Sequence, residues 1–130
     1  MATRTLVQIL TTALLVAACG PKVAAPSRPA RINHLAFFKL KHPEDAQALI
    51  AACDSQLATI PGVEAYWCGQ HGDFGRTTVD ADYDVGFYVG FADADAYEQY
   101  VKHPNHQHLV RTWKPRLEWI RVHDVVDETP

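Results

Sequence analysis

The sequence lacks an excess of positive charge. Its 12 lysine and arginine residues are outnumbered by 15 aspartate and glutamate residues, and its formal net charge is −3. Proteins that bind nucleic acids usually present a basic face to the phosphates, so this composition argues against a nucleic-acid partner. The sequence also lacks a window of the roughly 20 apolar residues that a stable transmembrane helix needs. With 130 residues, of which 48% are hydrophobic and 21% charged, the chain is expected to form one globular domain.

The short apolar stretch at residues 6–18 is typical of an export signal. Arg4 precedes it, and the small residues of "VAAC", at positions 16–19, close it. A secretory signal peptide has a basic start, a short apolar core and small residues at its cleavage site. The end of the stretch also resembles a bacterial lipobox, which implies a thioether-linked lipid on Cys19. We therefore predict a lipoprotein signal peptide at residues 1–18; a buried N-terminal helix is the alternative.

Residues 19–30 are predicted to form a lipidated tether. The segment contains three prolines and one glycine after Cys19 and has no helical periodicity, which is typical of a linker. Gly20, rather than an aspartate, follows the cysteine, and in enteric bacteria this favours sorting to the outer membrane. The expected location is thus the bacterial cell envelope, with the chain anchored in the outer membrane by its lipid and facing the periplasm.

Two further cysteines, Cys53 and Cys68, remain once Cys19 carries a lipid. An even number of cysteines in an oxidising compartment is consistent with a disulfide. The alternative is two separately buried thiols, which behave as small hydrophobic side chains. The sequence leaves both possibilities open, because it does not give the distance between the two residues.

Residues 31–127 show the periodicities of a small α+β domain. Alternating apolar residues predict strands at 31–41, 63–69, 83–91 and 117–126. Apolar residues spaced three and four apart predict a helix at 42–60, and a second helix at 94–103 is expected to break at Pro104. The order β-α-β-β-α-β predicts a ferredoxin-like fold, with one antiparallel sheet and its helices on one face.

The apolar residues of this sheet predict a dimer. If the helices cover one face, the opposite face would still carry a large apolar area, and such an area is not normally left in water. We expect two sheets to close face to face into a dimeric α/β barrel, which makes a homodimer the predicted assembly. Gly86 and Gly90 are expected on the helix-covered face, where a helix could approach closely. The residues assigned to the opposite face are Phe38, Phe87, Val89, Phe91, Ile120 and Val122.

Four segments in this order resemble one protein family. His34 early in the first strand and the pattern Y-x-x-H-P-x-H from Tyr100 to His106 carry most of the resemblance. The chain is similar to the stress-responsive dimeric α/β-barrel (Dabb) domains over about residues 31–127, and the family's fold agrees with the pattern above. The matching segments are "INHLAFFKLK", "TIPGVEAYWCG", "YDVGFYVGFADADAYEQYVKHPNHQHLV" and "RVHDVV".

The resemblance implies candidate catalytic residues but no substrate. Most Dabb proteins have no assigned reaction. Olivetolic acid cyclase, a plant polyketide cyclase of this family, uses histidines at the positions of His106 and His34 and a tyrosine at the position of Tyr100. This sequence keeps all three. Some family members hold Mg²⁺, so that ion is a possible cofactor by resemblance, although the sequence does not place oxygen ligands for it. Otherwise no cofactor is expected.

A pocket is expected in the interior of the barrel, with Tyr100 and His106 over its mouth, and it favours two functions. Its walls would be apolar, as in most small-molecule sites. The first hypothesis is a lipid-anchored barrel that binds a small apolar or aromatic molecule without converting it. The second is a cofactor-free lyase, cyclase or isomerase in which His106 is a general base and Tyr100 polarises a carbonyl or phenolic oxygen. The predicted ligand-binding residues are Ala36, Phe38, Phe87, Val89, Ile120 and Val122.

The run "HPNHQH" at residues 103–108 is not interpreted as a metal site. It lacks cysteine and carboxylate at ligand spacing, and Pro104 interrupts the helix on which two of its histidines could share a face. His103 is expected to shape the helix junction through a bond to a backbone carbonyl, and His108 to face solvent. His34 and His106 each have a purely structural alternative, as hydrogen-bonded histidines of the pocket.

Overall fold

A computed structural model describes residues 23–129 of the chain and shows one antiparallel sheet with helices on one face. The predicted signal peptide, with the lipidation site at Cys19, lies outside the described residues. No helix within the described range is long and apolar enough to cross a bilayer. The elements are β1 (Ile32–Leu40), α1 (Ala46–Gln56), β2 (Ala65–Gln70), β3 (Val85–Phe91), α2 (Ala94–Lys102), α3 (Pro104–Trp113) and β4 (Leu117–Val126), with single 3-10 turns at Pro43–Asp45 and Lys114–Arg116.

The strands lie in the order β2-β3-β1-β4, and every neighbouring pair is antiparallel. The central strand β1 fixes the register of the others, since His34 pairs with Val89 on β3 and with Asp124 on β4. Paired residues share a face of a sheet, and alternate residues of a strand point to opposite faces. The βαββαβ order and this sheet confirm the predicted α+β, ferredoxin-like fold.

The break between α2 and α3 occurs where the sequence predicts it. Asp93 caps the start of α2 by accepting a hydrogen bond from the Ala96 amide at 2.9 Å. The helix ends at Lys102, and Pro104 occupies the first position of α3, where its missing N–H costs nothing. His103 adopts an extended backbone between the two helices and caps the second. The junction is therefore an ordered change in the direction of the chain, with a capped helix on its C-terminal side.

The face that carries Ala36, Phe38 and Phe87 is covered by helices, which corrects the assignment made from the sequence. Ala36 and Phe38 lie on β1, and Phe87 lies on β3. Together with side chains from all three helices, they form the core. Alternation divides the residues of β1 between the two faces of the sheet. It does not show which face the helices cover, because both faces of β1 are apolar. The buried core comprises Ala36, Phe38, Leu40, Ala46, Leu49, Cys53, Leu57, Ile60, Val85, Phe87, Val89, Phe91, Tyr100, Leu109 and Trp113.

On the opposite face of the sheet, hereafter the open face, none of the helices of residues 23–129 lies over the strands. Gly86 and Gly90 lie here and not under the helices, which is a second correction. A Cβ at Gly90 would lie 2.5 Å from the Ala30 Cβ and from the Tyr88 hydroxyl, so neighbours on the open face require glycine at this position. The larger apolar side chains of the open face are Leu35, Phe37, Trp67, Tyr88, Trp119 and Val125.

The helices cover the sheet unevenly. Helix α1 packs on β2 and β3, and α2 packs on β3. At the other edge, Ile120 and Val122 of β4 point to the helix side yet remain 47% and 48% exposed. The space beside β4 is thus incompletely filled, and the site described below lies there.

Candidate functional site

A cavity of about 370 Å³ lies between the helix side of the sheet and the α2–α3 pair. Strands β1, β3 and β4 supply one wall, and the two helices supply the other. The structure brings His34, Tyr100 and His106 together in this cavity, along with every predicted ligand-binding residue except Val89. The lining residues are His34, Ala36, Phe38, Leu57, Phe87, Tyr97, Tyr100, Val101, His106, Leu109, Val110, Trp113, Lys114, Leu117, Ile120 and Val122.

Val89, predicted as a ligand-binding residue, does not line the cavity. Its side chain is 0% exposed and belongs to the packed core. Val89 shares its face with His34 and Phe87, so its inclusion followed from alternation alone. The central strand β3, however, lies beneath the helix layer, and Val89 is closed off by it.

His34 is held by a carboxylate on the neighbouring strand. Its Nδ1 lies 2.6 Å from Oδ1 of Asp124, which is its pairing partner across β1 and β4. The Tyr97 hydroxyl donates to the other oxygen, Oδ2, at 3.1 Å. An acceptor at Nδ1 favours the tautomer that carries the proton there and leaves Nε2 as the free ring nitrogen. The carboxylate thereby fixes both the tautomer and the orientation of the imidazole.

Tyr97 connects this pair to helix α2. Its ring lies 5.5 Å from the His34 ring, centroid to centroid. Burial raises the pKa of the Tyr97 phenol, and its hydrogen bond to Asp124 raises that pKa further. The phenol therefore stays protonated near neutral pH and acts as a hydrogen-bond donor. His34 is thus bordered by one acceptor, Asp124, and by one neutral donor.

His106 presents a neutral imidazole to the cavity. Its Nδ1 lies 3.0 Å from the Val101 carbonyl oxygen, and only a protonated Nδ1 can donate to that acceptor. Burial lowers the pKa of His106, and the bond to Val101 offsets part of this effect; a proton on the nearby His34 would lower the pKa further. The neutral ring with a free Nε2 is the form suited to accept a proton from a ligand.

Tyr100 lies between the two histidines. Its side chain is 1% exposed, and its ring centroid is 4.8 Å from that of His106 and 6.2 Å from that of His34. Burial raises the pKa of the Tyr100 phenol strongly. The group is consequently a proton donor and not a base. The cavity therefore combines a proton acceptor and proton donors within one apolar enclosure.

Asp124 and Tyr97 belong to the site but were not predicted from the sequence. The signal for Asp124 was present, because Ile120, Val122 and Asp124 alternate on one face of β4, and an acidic residue on that apolar face needs a partner. Tyr97 precedes Tyr100 by three residues, which places both on one side of α2. Only the register of β4 against β1 shows that the carboxylate meets His34.

The remaining histidines of the run have other roles. His103 accepts a hydrogen bond at Nδ1 from the Asn105 amide at 3.2 Å, so it caps α3, whereas the sequence analysis expected a bond to a carbonyl. His108 is exposed. Within residues 23–129, no three His, Cys, Asp or Glu side chains converge as a metal site. The Asp124 carboxylate already bonds His34 and Tyr97, so the cavity offers a poor donor set for Mg²⁺.

Cys53 and Cys68 are both free thiols in the structure. Cys68 raises the pKa of Cys53, and Cys53 lowers the pKa of Cys68, so the two thiols lie near each other. The structure contains no bond between them, and the disulfide stays a prediction.

Comparison with known sequences agrees with this geometry. The profile of the Dabb family, "Stress responsive A/B Barrel Domain", matches residues 32–127. Comparison with curated proteins gave no match. The matched range includes His34, Tyr100, His106 and Asp124, so the whole cavity belongs to the family domain.

Solved structures share the fold. A Dabb family protein with a ferredoxin-like fold from Mesorhizobium loti is 30% identical, with a TM-score of 0.62, and the match covers 75% of this chain and 97% of that one. A dimeric ferredoxin-like protein of unknown function from Thermobifida fusca is 23% identical, with a TM-score of 0.62 and coverage of 74% and 90%. Hydroxynitrile lyase from Passiflora edulis is 17% identical, with a TM-score of 0.63 and coverage of 79% and 99%. The chain belongs to the Dabb, or stress-responsive A/B barrel domain, family.

Proposed function

We propose that the cavity beside β4 binds a small, largely apolar molecule. The observation that carries the proposal is the cavity itself, which has a volume of about 370 Å³, apolar walls and a few polar side chains. Small-molecule sites typically enclose about 300–1,000 Å³ and orient their ligands with a small number of polar groups. The half-exposed Ile120 and Val122 would be covered by the ligand, which supplies a hydrophobic driving force for binding.

The polar groups other than Lys114 are gathered at one end of the cavity. His34, Tyr97 and Tyr100 lie near the start of β1, and Phe38 and Leu117 line the other end. Four residues of strand separate His34 from Phe38, or roughly 13 Å. The ligand is accordingly a molecule with a carbonyl or hydroxyl group at one end and an apolar or aromatic body that extends along β1.

A thermal-shift screen of the full-length protein tests binding. The panel would contain aromatic and aliphatic aldehydes, ketones and phenols, each beside the hydrocarbon that lacks the oxygen. Val122→Trp fills the cavity and should abolish the stabilisation. Val126→Trp is the matched control, because it lies on the same face of the same strand outside the cavity lining. Equal stabilisation of both variants would refute binding in the cavity.

A second candidate function is cofactor-free proton transfer, as in a lyase, cyclase or isomerase. The favouring observation is the pairing of a neutral His106 with an Asp124-anchored His34. His106 Nε2 would take a proton from the carbon next to a carbonyl, while the Tyr100 hydroxyl stabilises the oxygen on which negative charge develops. The Passiflora edulis protein is by its name a hydroxynitrile lyase, so the fold can accommodate a lyase.

Hydrogen exchange into a bound ligand separates the two functions without knowledge of the complete reaction. A carbonyl ligand from the screen is incubated with the protein in D₂O, and loss of its α-proton signal is followed by NMR. Proton transfer predicts exchange that His106→Gln abolishes while binding persists; His108→Gln is the matched surface control. A ligand that binds but exchanges no faster than in buffer would leave binding as the function.

We also propose that the protein is a homodimer assembled through its open face. Apolar side chains of that face, including the 47% exposed Trp67, are not covered by any helix of the described part of the chain. Several relatives of the same fold are dimeric by their descriptions, including proteins from Thermobifida fusca, Bacteroides fragilis and Jannaschia. Trp67→Glu should yield monomers in sedimentation, and Ala51→Glu, on the exposed side of α1, should not. A wild-type monomer at micromolar concentration would refute the proposal.

Export and lipid anchoring complete the proposed function. The support is the sequence of residues 1–19, with its apolar core and its cysteine after small residues. Full-length protein produced in a bacterium that is fed an alkyne-bearing fatty acid should carry the label and should fractionate with the outer membrane. Cys19→Ser should lose the label, whereas Cys68→Ser should keep it. Unlabelled protein in the cytoplasm would contradict the anchor.

A further inference from the structure

The seam between helix α1 and strand β2 is fixed at two points by side-chain hydrogen bonds. Near the start of α1, the Gln47 amide donates to the Gln70 side-chain oxygen at 2.9 Å. Near its end, the Tyr66 hydroxyl donates to Asp54 Oδ1 at 2.6 Å. The helix and the strand therefore run antiparallel to each other along the seam, in a defined register.

Both cysteines lie between these two points. Cys53 precedes Asp54 on α1, and Cys68 follows Tyr66 on the helix side of β2. Cys53 is 0% exposed, Cys68 is half-buried, and each sulfur lies close enough to shift the pKa of the other. Hydrogen bonds on either side of the two cysteines fix the register of the seam, so only a small movement is needed to bring the sulfur atoms to bonding distance.

We propose that Cys53 and Cys68 form a site of reversible thiol oxidation that closes a covalent link between α1 and β2. The oxidant is an external disulfide, either a small molecule or a protein. Cys68 thiolate attacks one sulfur of that disulfide and releases one thiol. The Cys53 thiolate, after losing its proton to solvent, then attacks the Cys68 sulfur of the mixed disulfide and releases the second thiol. The balance is two protein thiols and one disulfide converted into one protein disulfide and two thiols.

The environment of each sulfur assigns these roles. The hydrogen bond from Cys53 lowers the pKa of Cys68, and Cys68 is the partner that an external disulfide can reach. The same hydrogen bond and burial raise the pKa of Cys53, so this thiol stays protonated until the mixed disulfide forms beside it. A half-buried thiolate followed by a sheltered resolving thiol is the usual order in thiol–disulfide exchange.

The link would stiffen the wall behind the cavity. Cys53 packs in the core with Tyr100, and Leu57, which directly follows α1, lines the cavity. A disulfide here restricts the unfolded chain and holds α1 against the sheet. The expected result is a rise of the unfolding midpoint by about 5–15 °C on oxidation. This inference is independent of the proposed ligand, because it concerns the opposite edge of the sheet.

The test uses the full-length chain with Cys19→Ser, in which Cys53 and Cys68 are the only thiols. Folded protein is incubated with oxidised glutathione, and free thiols are counted before and after by mass spectrometry with a thiol-alkylating reagent. We expect loss of both thiols, a mass decrease of two hydrogens without a bound glutathione, and a monomeric chain on a non-reducing gel. Reduction should return both thiols and the lower unfolding midpoint.

Two variants and one control keep the result decisive. Cys53→Ser should stop at a stable mixed disulfide on Cys68, and Cys68→Ser should leave Cys53 unreacted in the folded state. Incubation of urea-unfolded protein with the same oxidant shows that the reagent is competent. Two free thiols in the folded protein, disulfides between chains, or a persistent mixed disulfide on the chain with both cysteines would each overturn the proposal.

Discussion

The two edge strands of the sheet, β2 and β4, differ in what covers them. Helix α1 lies on β2, and two side-chain hydrogen bonds join them on either side of Cys53 and Cys68. No such seam covers β4, whose Ile120 and Val122 remain about half-exposed beside α3. At the β2 edge the helix side is filled with side chains, and at the β4 edge it is a largely apolar cavity that also holds a few ionisable groups.

This difference shows how a small fold separates stability from function. Elements with many buried contacts provide most of the stability, whereas sites that bind ligands are drawn from incompletely packed regions. The β2 edge has the packed helix, and the β4 edge supplies Asp124 and the space into which His34 and His106 face. Matched substitutions at the two edges should therefore differ in their effects.

The largest effect is expected from shortening apolar side chains. Leu49 on α1 is 0% exposed, so Leu49→Ala should lower the free energy of unfolding by about 2–5 kcal/mol through lost burial and a new cavity. Ile120 on β4 is 47% exposed and already borders a cavity, so Ile120→Ala should cost only about 1 kcal/mol. Urea denaturation measures both. Equal losses would mean that the two edges contribute equally to the core.

Asp124→Asn should impair function more than folding. An asparagine can present its NH₂ to His34 Nδ1, which allows the tautomer with the proton on Nε2. If the cavity catalyses proton transfer, ligand hydrogen exchange should fall by about 100-fold, since loss of an orienting carboxylate misplaces the imidazole proton. Long-range ¹⁵N–¹H spectra should show Nδ1–H at His34 in the wild type and a second tautomer in the variant. A single unchanged tautomer in both proteins would contradict the assigned role.

Removal of one hydroxyl at each edge gives a smaller effect. Tyr66→Phe deletes the hydrogen bond to Asp54 and should cost about 1 kcal/mol in the free energy of unfolding. Tyr97→Phe should cost about half as much, because Asp124 retains His34 as a partner. Chemical denaturation of both variants measures the difference. A greater loss from Tyr97→Phe would place the stabilising network at the β4 edge instead.

The smallest effect concerns the pH dependence of stability. Burial lowers the pKa of His106 in the folded protein below its ordinary value of about 6.5. The unfolded chain therefore binds this proton more readily, so stability falls as the pH decreases through that value. His106→Gln should reduce the fall between about pH 7.5 and pH 5, and His108→Gln should not. Urea midpoints at the two pH values provide the test; an unchanged slope in His106→Gln would show that His106 is not desolvated.

The strand and helix order could be predicted because the local signals were unambiguous. Alternation marked β1 and β3, and Pro104 marked the junction between α2 and α3. The identity of the cavity residues was also largely accessible, since a ferredoxin-like register brings Ala36 opposite Val122 and Phe38 opposite Ile120. These properties depend on neighbours along the chain or on one simple topology.

The face of the sheet and the role of Asp124 depend on contacts that the sequence does not encode locally. Both faces of β1 are apolar, so alternation could not show which of them the helices cover. The partner of His34 lies 90 positions away on β4, and only the register of the two strands brings them together. Val89 was included for the same reason, because a position within a strand does not reveal what lies above it.

The interrupted helix supplies the acceptor that orients His106. The last carbonyls of any α-helix lack an amide partner four residues on, and Val101 belongs to the final turn of α2. In a continuous helix its oxygen would accept the Asn105 amide, but that amide bonds His103 instead. The released oxygen receives the His106 ring proton. A histidine-proline pair followed closely by a second histidine therefore provides a main-chain acceptor that sets the tautomer of the second imidazole. The same short sequence, placed at another helix junction, should produce a neutral base there.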